Sequence, residues 1–157
     1  MRLATVRLNN EEQTVIIRND EVVLLRHLNE RLNKQYPLSL LPLIETDLLQ
    51  SLKRDCASLL QEDWDAVQKF SLDEVHFVAP YRNPTHIFGV GMNYVEKAQD
   101  LQATPVDHAP VCFLKPATSL IGMNESIVLP RVSKRVTAEG ELSLIIGKRC
   151  FEVSEEE

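Results

Sequence analysis

Positive charge is in short supply in this chain: 17 lysines and arginines stand against 23 aspartates and glutamates, giving a formal net charge of -6 and a pI near 5.3. That balance lacks the basic footprint a phosphate backbone requires, so nucleic acid is excluded as an expected partner. Cysteine is scarce as well. Cys56, Cys112 and Cys150 are odd in number and widely spaced, with no Cys-x-x-Cys pair to suggest a zinc or redox motif, and the thiols read as buried or incidental. No segment approaches the length of a bilayer span, and no membrane partner is expected. The opening Met-Arg-Leu-Ala-Thr-Val-Arg-Leu alternates polar and apolar residues without the apolar core of a signal peptide. The expected compartment is the cytoplasm, or an organelle matrix if a targeting segment is absent from this sequence. Internal repeats and low-complexity stretches are also lacking.

What is present suits a soluble globular protein: 157 residues, 44% apolar and 25% charged, enough for one ordinary domain or two small ones. Residues 2–8 and 13–18 alternate as strands do, and Asn19-Asp20-Glu21 makes a polar turn before the β-branched run Val22-Val23-Leu24-Leu25. A hairpin or meander is therefore expected at the start. Leu-rich residues 26–42 are interrupted by Pro37 and Pro42, which predicts a short helix and a loop. Ile44, Leu48, Leu52, Cys56, Leu59 and Leu60 recur at helical spacing, which predicts one amphipathic helix over 44–60 with Thr46 as its N-cap. A further helical stretch includes Trp64 and Val67. At Val78-Ala79-Pro80-Tyr81-Arg82-Asn83-Pro84 helical periodicity gives way to short β-like runs. The expected division is a small N-terminal α/β domain over 1–79 and a second domain over 80–157, with strands at 86–90, 111–114, 126–129 and 141–146. The fold class is α+β.

Glu139 and Glu141, separated by Gly140, lead into the apolar run Leu142-Ser143-Leu144-Ile145-Ile146. On a strand, residues two apart share a face, so the two carboxylates would project side by side. Two readings are open. A hard, oxygen-ligated cation such as Mg²⁺, Mn²⁺ or Ca²⁺ would satisfy them at the edge of a buried region; alternatively both sit in water at a strand end. Gly89-Val90-Gly91-Met92-Asn93-Tyr94 superficially suggests a dinucleotide-binding turn, but Tyr94 occupies the place of the third glycine, and the expected acidic residue is missing. Ser154-Glu155-Glu156-Glu157 has the arrangement of a capping box with no helix after it, which points to a fragment, although a frayed acidic tail also fits.

Taken in order, Gly89-Val-Gly-Met-Asn-Tyr, Phe113-Leu-Lys-Pro-Ala-Thr-Ser-Leu-Ile-Gly, Ile127-Val-Leu-Pro and Glu139-Gly-Glu-Leu-Ser-Leu-Ile-Ile-Gly-Lys-Arg resemble the fumarylacetoacetate hydrolase family. The resemblance is strong from Pro84 to Glu157, and residues 1–80 are more loosely similar to the small N-terminal domain of bacterial members. It implies a mixed β-barrel-like catalytic domain, of which the chain would hold the first part. It also implies that Glu139 and Glu141 ligate Mg²⁺, Mn²⁺ or Ca²⁺, and that the remaining ligand is an aspartate on a later strand absent from this sequence. Lys115, read alone, is an ordinary solvated lysine at a strand end; the resemblance implies that it binds a carboxylate or carbonyl oxygen of substrate.

Family members often continue Asn-Tyr-x-x-His-x-x-Glu, whose His and Glu activate water. Here Lys97 stands at the histidine position and Asp100 at the glutamate position. An ammonium with an ordinary pKa near ~10.4 is a poor general base at neutral pH. Asp100 as a base, Lys97 as an enolate stabiliser, and both as solvated charges are all open readings. His86 and His108 do not fill the missing position: His86 reads as structural and His108 as a loop residue. The implied substrate is an α-keto or enol acid such as an acylpyruvate. C–C hydrolysis, isomerisation and decarboxylation are the candidate reactions, the last two favoured by the altered pair, and a homodimer is implied for the complete protein. The competing expectation is an inactive member kept as a binding or dimerisation module.

Overall fold

The computed structural model describes residues 1–91, 94 and 111–154. These fall into two compact units, residues 1–81 with 121–157 and residues 82–120, each taken by itself below.

In the first unit, strands β1 (Arg2–Leu8), β2 (Glu11–Arg18) and β3 (Glu21–Leu24) form an antiparallel meander. Its two connections are Asn9-Asn10 and Asn19-Asp20, and all four residues have positive φ (52°, 65°, 49° and 62°). Two-residue loops of that hand match the twist of the flanking strands, and Asn and Asp tolerate them better than other side chains. The added strands β4 (Lys69–Ser71) and β5 (His76–Phe77), which pair with β3 and β1, give the sheet order β4-β3-β2-β1-β5. Neither short strand was legible in the hydrophobic pattern.

The helices are α1 (Leu25–Leu32), α2 (Leu40–Glu45), α3 (Leu49–Ser58) and α4 (Gln61–Ala66). Helix α1 ends at Asn33, whose φ of 50° is the left-handed conformation usual at a helix C-terminus. The single helix expected over 44–60 is instead broken. Thr46 closes α2 rather than opening a helix: its Oγ1 donates to the carbonyl of Pro42 at 2.5 Å, and Asp47 takes a positive φ of 56°. Pro42 is tolerated because it lies in the first turn of α2, where backbone N–H groups lack intrahelical partners.

Alternation along the strands supplies two cores. Ile16 and Val23, paired across the ladder, pack with Leu25, Leu28, Leu40, Leu43, Leu52 and Trp64 from the helices. Val6, Val15, Val22 and Leu24 join Val75 in a second cluster. Full burial of one such leucine or valine contributes roughly 1.5–3 kcal/mol. Residues 121–125 attach to β5, where Met123 N donates to Phe77 O at 3.2 Å. Gly122 passes so close that a Cβ there would lie 3.0 Å from both Phe77 O and Val78 Cα.

The strands expected at 126–129 and 141–146 are irregular in the structure, and no described strand pairs with them. A β run needs neighbours for its backbone groups as well as an apolar sequence. Without them Val128, Leu142 and Leu144 stand 88%, 85% and 82% exposed. The expected helix start at Ser154–Glu157 falls largely outside the described residues. No described helix is long and apolar enough to cross a membrane.

In the second unit, β6 (Ile87–Gly91) and β7 (Val111–Lys115) form an antiparallel pair, close to the strands expected there. Together the units are an α+β architecture.

Candidate functional site

Lys115 is the last rung of β7, opposite Ile87. Pro116 follows, and because proline has no N–H it cannot extend the ladder. The chain turns at once into a single 3-10 turn, Ala117–Ser119, where Ser119 donates from both its backbone N (2.9 Å) and its Oγ (2.7 Å) to Pro116 O. At this stop Lys115 lines a cleft of about 330 Å³, together with Thr85, His86, Ile87, Pro116 and Ala117. His86 stacks on Phe88 with ring centroids 5.8 Å apart, and it borders the cleft as well. Phe88, on which it stacks, projects to the side of the sheet opposite to Ile87 and Lys115.

Glu139 and Glu141 lie in irregular backbone in the other unit, both exposed, and a Cβ on the intervening Gly140 would meet nothing within 4 Å. The shared strand face expected for the pair is not what the backbone adopts, since residues 139–141 carry no ladder. As a donor set, two carboxylates suit a hard divalent cation in type. In number they are incomplete: among the described residues no group of three or more His, Cys, Asp or Glu side chains is placed to hold a metal ion. Lys97 and Asp100 lie outside the described residues.

A larger hollow of about 440 Å³ is lined by His27, Glu30, Arg31, Ala66, Val67 and Gln68, none of them among the sequence-predicted site residues. Its arginine is committed. The Arg31 guanidinium donates to Asp63 Oδ1 from Nε at 2.8 Å and also from Nη2, and holds the Asp63 carboxyl below the usual carboxylate range. The cleft carrying Lys115 is the one with chemistry anticipated from the sequence.

Residues 86–157 match the family described as fumarylacetoacetate hydrolase, C-terminal. Over that segment the chain is similar to the fumarylacetoacetate hydrolase family. Among its relatives, a protein of Archaeoglobus fulgidus is 42% identical over 84 residues, covering 54% of this chain and 33% of that protein. Human mitochondrial oxaloacetate tautomerase FAHD2A is 42% identical over 76 residues, covering 48% of this chain and 24% of that protein. The chain thus spans a third or less of the length of these relatives. A crystal structure of an HpcE-like protein from Mycobacterium smegmatis superposes with a TM-score of 0.52 at 20% identity, over 81% of this chain and 40% of that one. That likeness concerns the fold.

Proposed function

We propose that the complete protein is a divalent-metal-dependent enzyme of α-keto and enol acids, and that it isomerises an oxaloacetate-like substrate between keto and enol forms rather than hydrolysing a C–C bond. The observation that carries this reading is the presence, within the family-matched segment, of Lys115 at a strand end over a cleft and of the Glu139-Gly140-Glu141 pair. The name of the human relative supports the choice of substrate. The exchange of the water-activating His and Glu for Lys97 and Asp100 supports isomerisation, which consumes no water.

In that reaction a proton leaves the carbon next to the ketone, its electron pair becomes the C=C bond, and the ketone oxygen takes up a proton. Lys115 holds the substrate carboxylate as a compact charge with three donors. Asp100 receives the carbon-bound proton, and Lys97 offsets the negative charge developing on oxygen. Glu139 and Glu141 would hold Mg²⁺ or Mn²⁺, with Ca²⁺ as an alternative, through carboxylate oxygens. When bound, such an ion supplies Lewis-acid polarisation of the keto oxygen. A homodimer is part of the same proposal.

The test is keto–enol interconversion of oxaloacetate by the complete protein, followed by ultraviolet absorbance with and without added Mn²⁺. Metal-dependent acceleration is the expected result. No acceleration, together with no cleavage of acylpyruvates, would leave the chain as an inactive binding or dimerisation module. Release of CO₂ would replace isomerisation with decarboxylation.

A further inference from the structure

Residues opposite one another on β6 and β7 share a side of the sheet, so Ile87 with Lys115, Gly89 with Phe113 and Gly91 with Val111 project the same way. Gly89 is buried although its neighbours Phe88 and Val90 are exposed. The Phe113 ring is what occupies the space above it. A Cβ on Gly89 would lie 2.2, 2.5 and 2.7 Å from the Cζ, Cε2 and Cε1 atoms of that ring. At such distances a Cβ would displace the ring, so the absence of a Cβ at position 89 makes the notch in which the ring lies across β6. Two residues further along the same face, Lys115 Nζ is 5.6 Å from the Phe113 ring centroid. That is within the roughly 6 Å range over which a ring face attracts a cation.

The contact suits an ammonium with work to do. Lysine ends a flexible four-carbon stem, and fixing it costs rotamer freedom unless a neighbour holds it. A carboxylate neighbour would hold it but would also neutralise it. A ring face restrains the ammonium without consuming its charge, which stays available to an anion.

We propose that Phe113, seated in the notch left by Gly89, is a positioning residue that holds the Lys115 ammonium, in the cleft this lysine lines, for the carboxylate of a keto acid. The proposal rests on the reading of Lys115 given under Proposed function, and it adds the two residues that determine where that charge sits.

The experiment uses the complete protein and two readouts. In NMR, the Lys115 Hε protons, assigned by their loss in Lys115→Arg, should be shifted upfield by the ring. Phe113→Leu and Gly89→Ala should return them to the ordinary lysine position, while Phe113→Tyr should keep the shift. In kinetics with oxaloacetate, Phe113→Leu should raise KM about two- to fivefold with little change in kcat, and Phe113→Tyr should restore it. Phe113→Leu keeps an apolar side chain, so the test survives if Gly89→Ala fails to fold. An unshifted Lys115 resonance overturns the proposal. So does an unchanged KM in Phe113→Leu while Lys115→Met raises KM, and in that case the reading of Lys115 stands. An unchanged KM in Lys115→Met overturns that reading and the proposal with it.

Discussion

The Tyr36 hydroxyl donates to Asp55 Oδ2 at 2.7 Å, which ties the segment after α1 to helix α3. Burial, and then the neighbouring Asp55 carboxylate, push the Tyr36 phenol up to about 12. A phenol whose folded value exceeds its unfolded value of about 10 stabilises the native state fully below that unfolded value, and the contribution is lost as pH rises through the folded one. Tyr36 should therefore ionise late in a spectrophotometric titration, and Asp55→Asn should bring its ionisation earlier. A Tyr36 signal unmoved by Asp55→Asn would show that the hydrogen bond has no influence on it.

Acid should act through the opposite kind of group. Asp63 accepts from Arg31 and from the backbone N–H of Leu60 at 2.8 Å, and its carboxyl is held below its usual range by Arg31 first and by the Leu60 N–H second. Its stabilising contribution is complete above the unfolded value of about 3.9 and is lost as pH falls through the folded one. Urea midpoints measured from pH ~6 down to pH ~2 should decline, and Arg31→Gln should make that decline shallower. A slope identical in the two proteins would remove Asp63 from the account.

Both of these interactions lie among elements that the sequence announced in part. The meander was legible because paired Asn and Asp residues separate alternating strands, and local turn chemistry decides such a hairpin. The break at Thr46 was not, because the apolar spacing from Ile44 to Leu60 continues unbroken across it, while the left-handed Asp47 leaves no mark on hydrophobic periodicity. The segments 126–129 and 141–146 show the reverse failure: an apolar run states a preference for burial and leaves its partner unspecified. At the site, Lys115 was found through a motif, whereas Phe113 and Gly89 emerge only once cross-strand register is known.

The three thiols should separate by reactivity. Burial, with Asp55 second, pushes the Cys56 thiol up to about 11, whereas Cys112 and Cys150 are exposed. The thiolate is the reactive form, so two equivalents should react quickly with a disulfide reagent near pH ~8 and the third only after unfolding. Three equally fast thiols would contradict the packing of Cys56 against the helical core.

The glutamate pair permits a test in which two effects have opposite signs. If Glu139 and Glu141 ligate one cation, the metal-free protein brings two negative charges to one site, and removing one charge relieves their repulsion. Glu141→Gln in the complete protein should then melt at the same temperature as the parent or slightly above it when metal is chelated away. With Mn²⁺ added, the parent should gain stability as RT ln(1 + [Mn²⁺]/Kd), and the variant should lose most of that gain through a Kd weakened about tenfold or more. Glu139→Gln should behave alike, because both carboxylates would serve the same ion. Solvated carboxylates predict something different: both variants would melt like the parent in either condition. Calorimetric scans of the three proteins with chelator and with Mn²⁺ decide between these outcomes, and an undiminished Mn²⁺ gain in both variants would place the metal elsewhere.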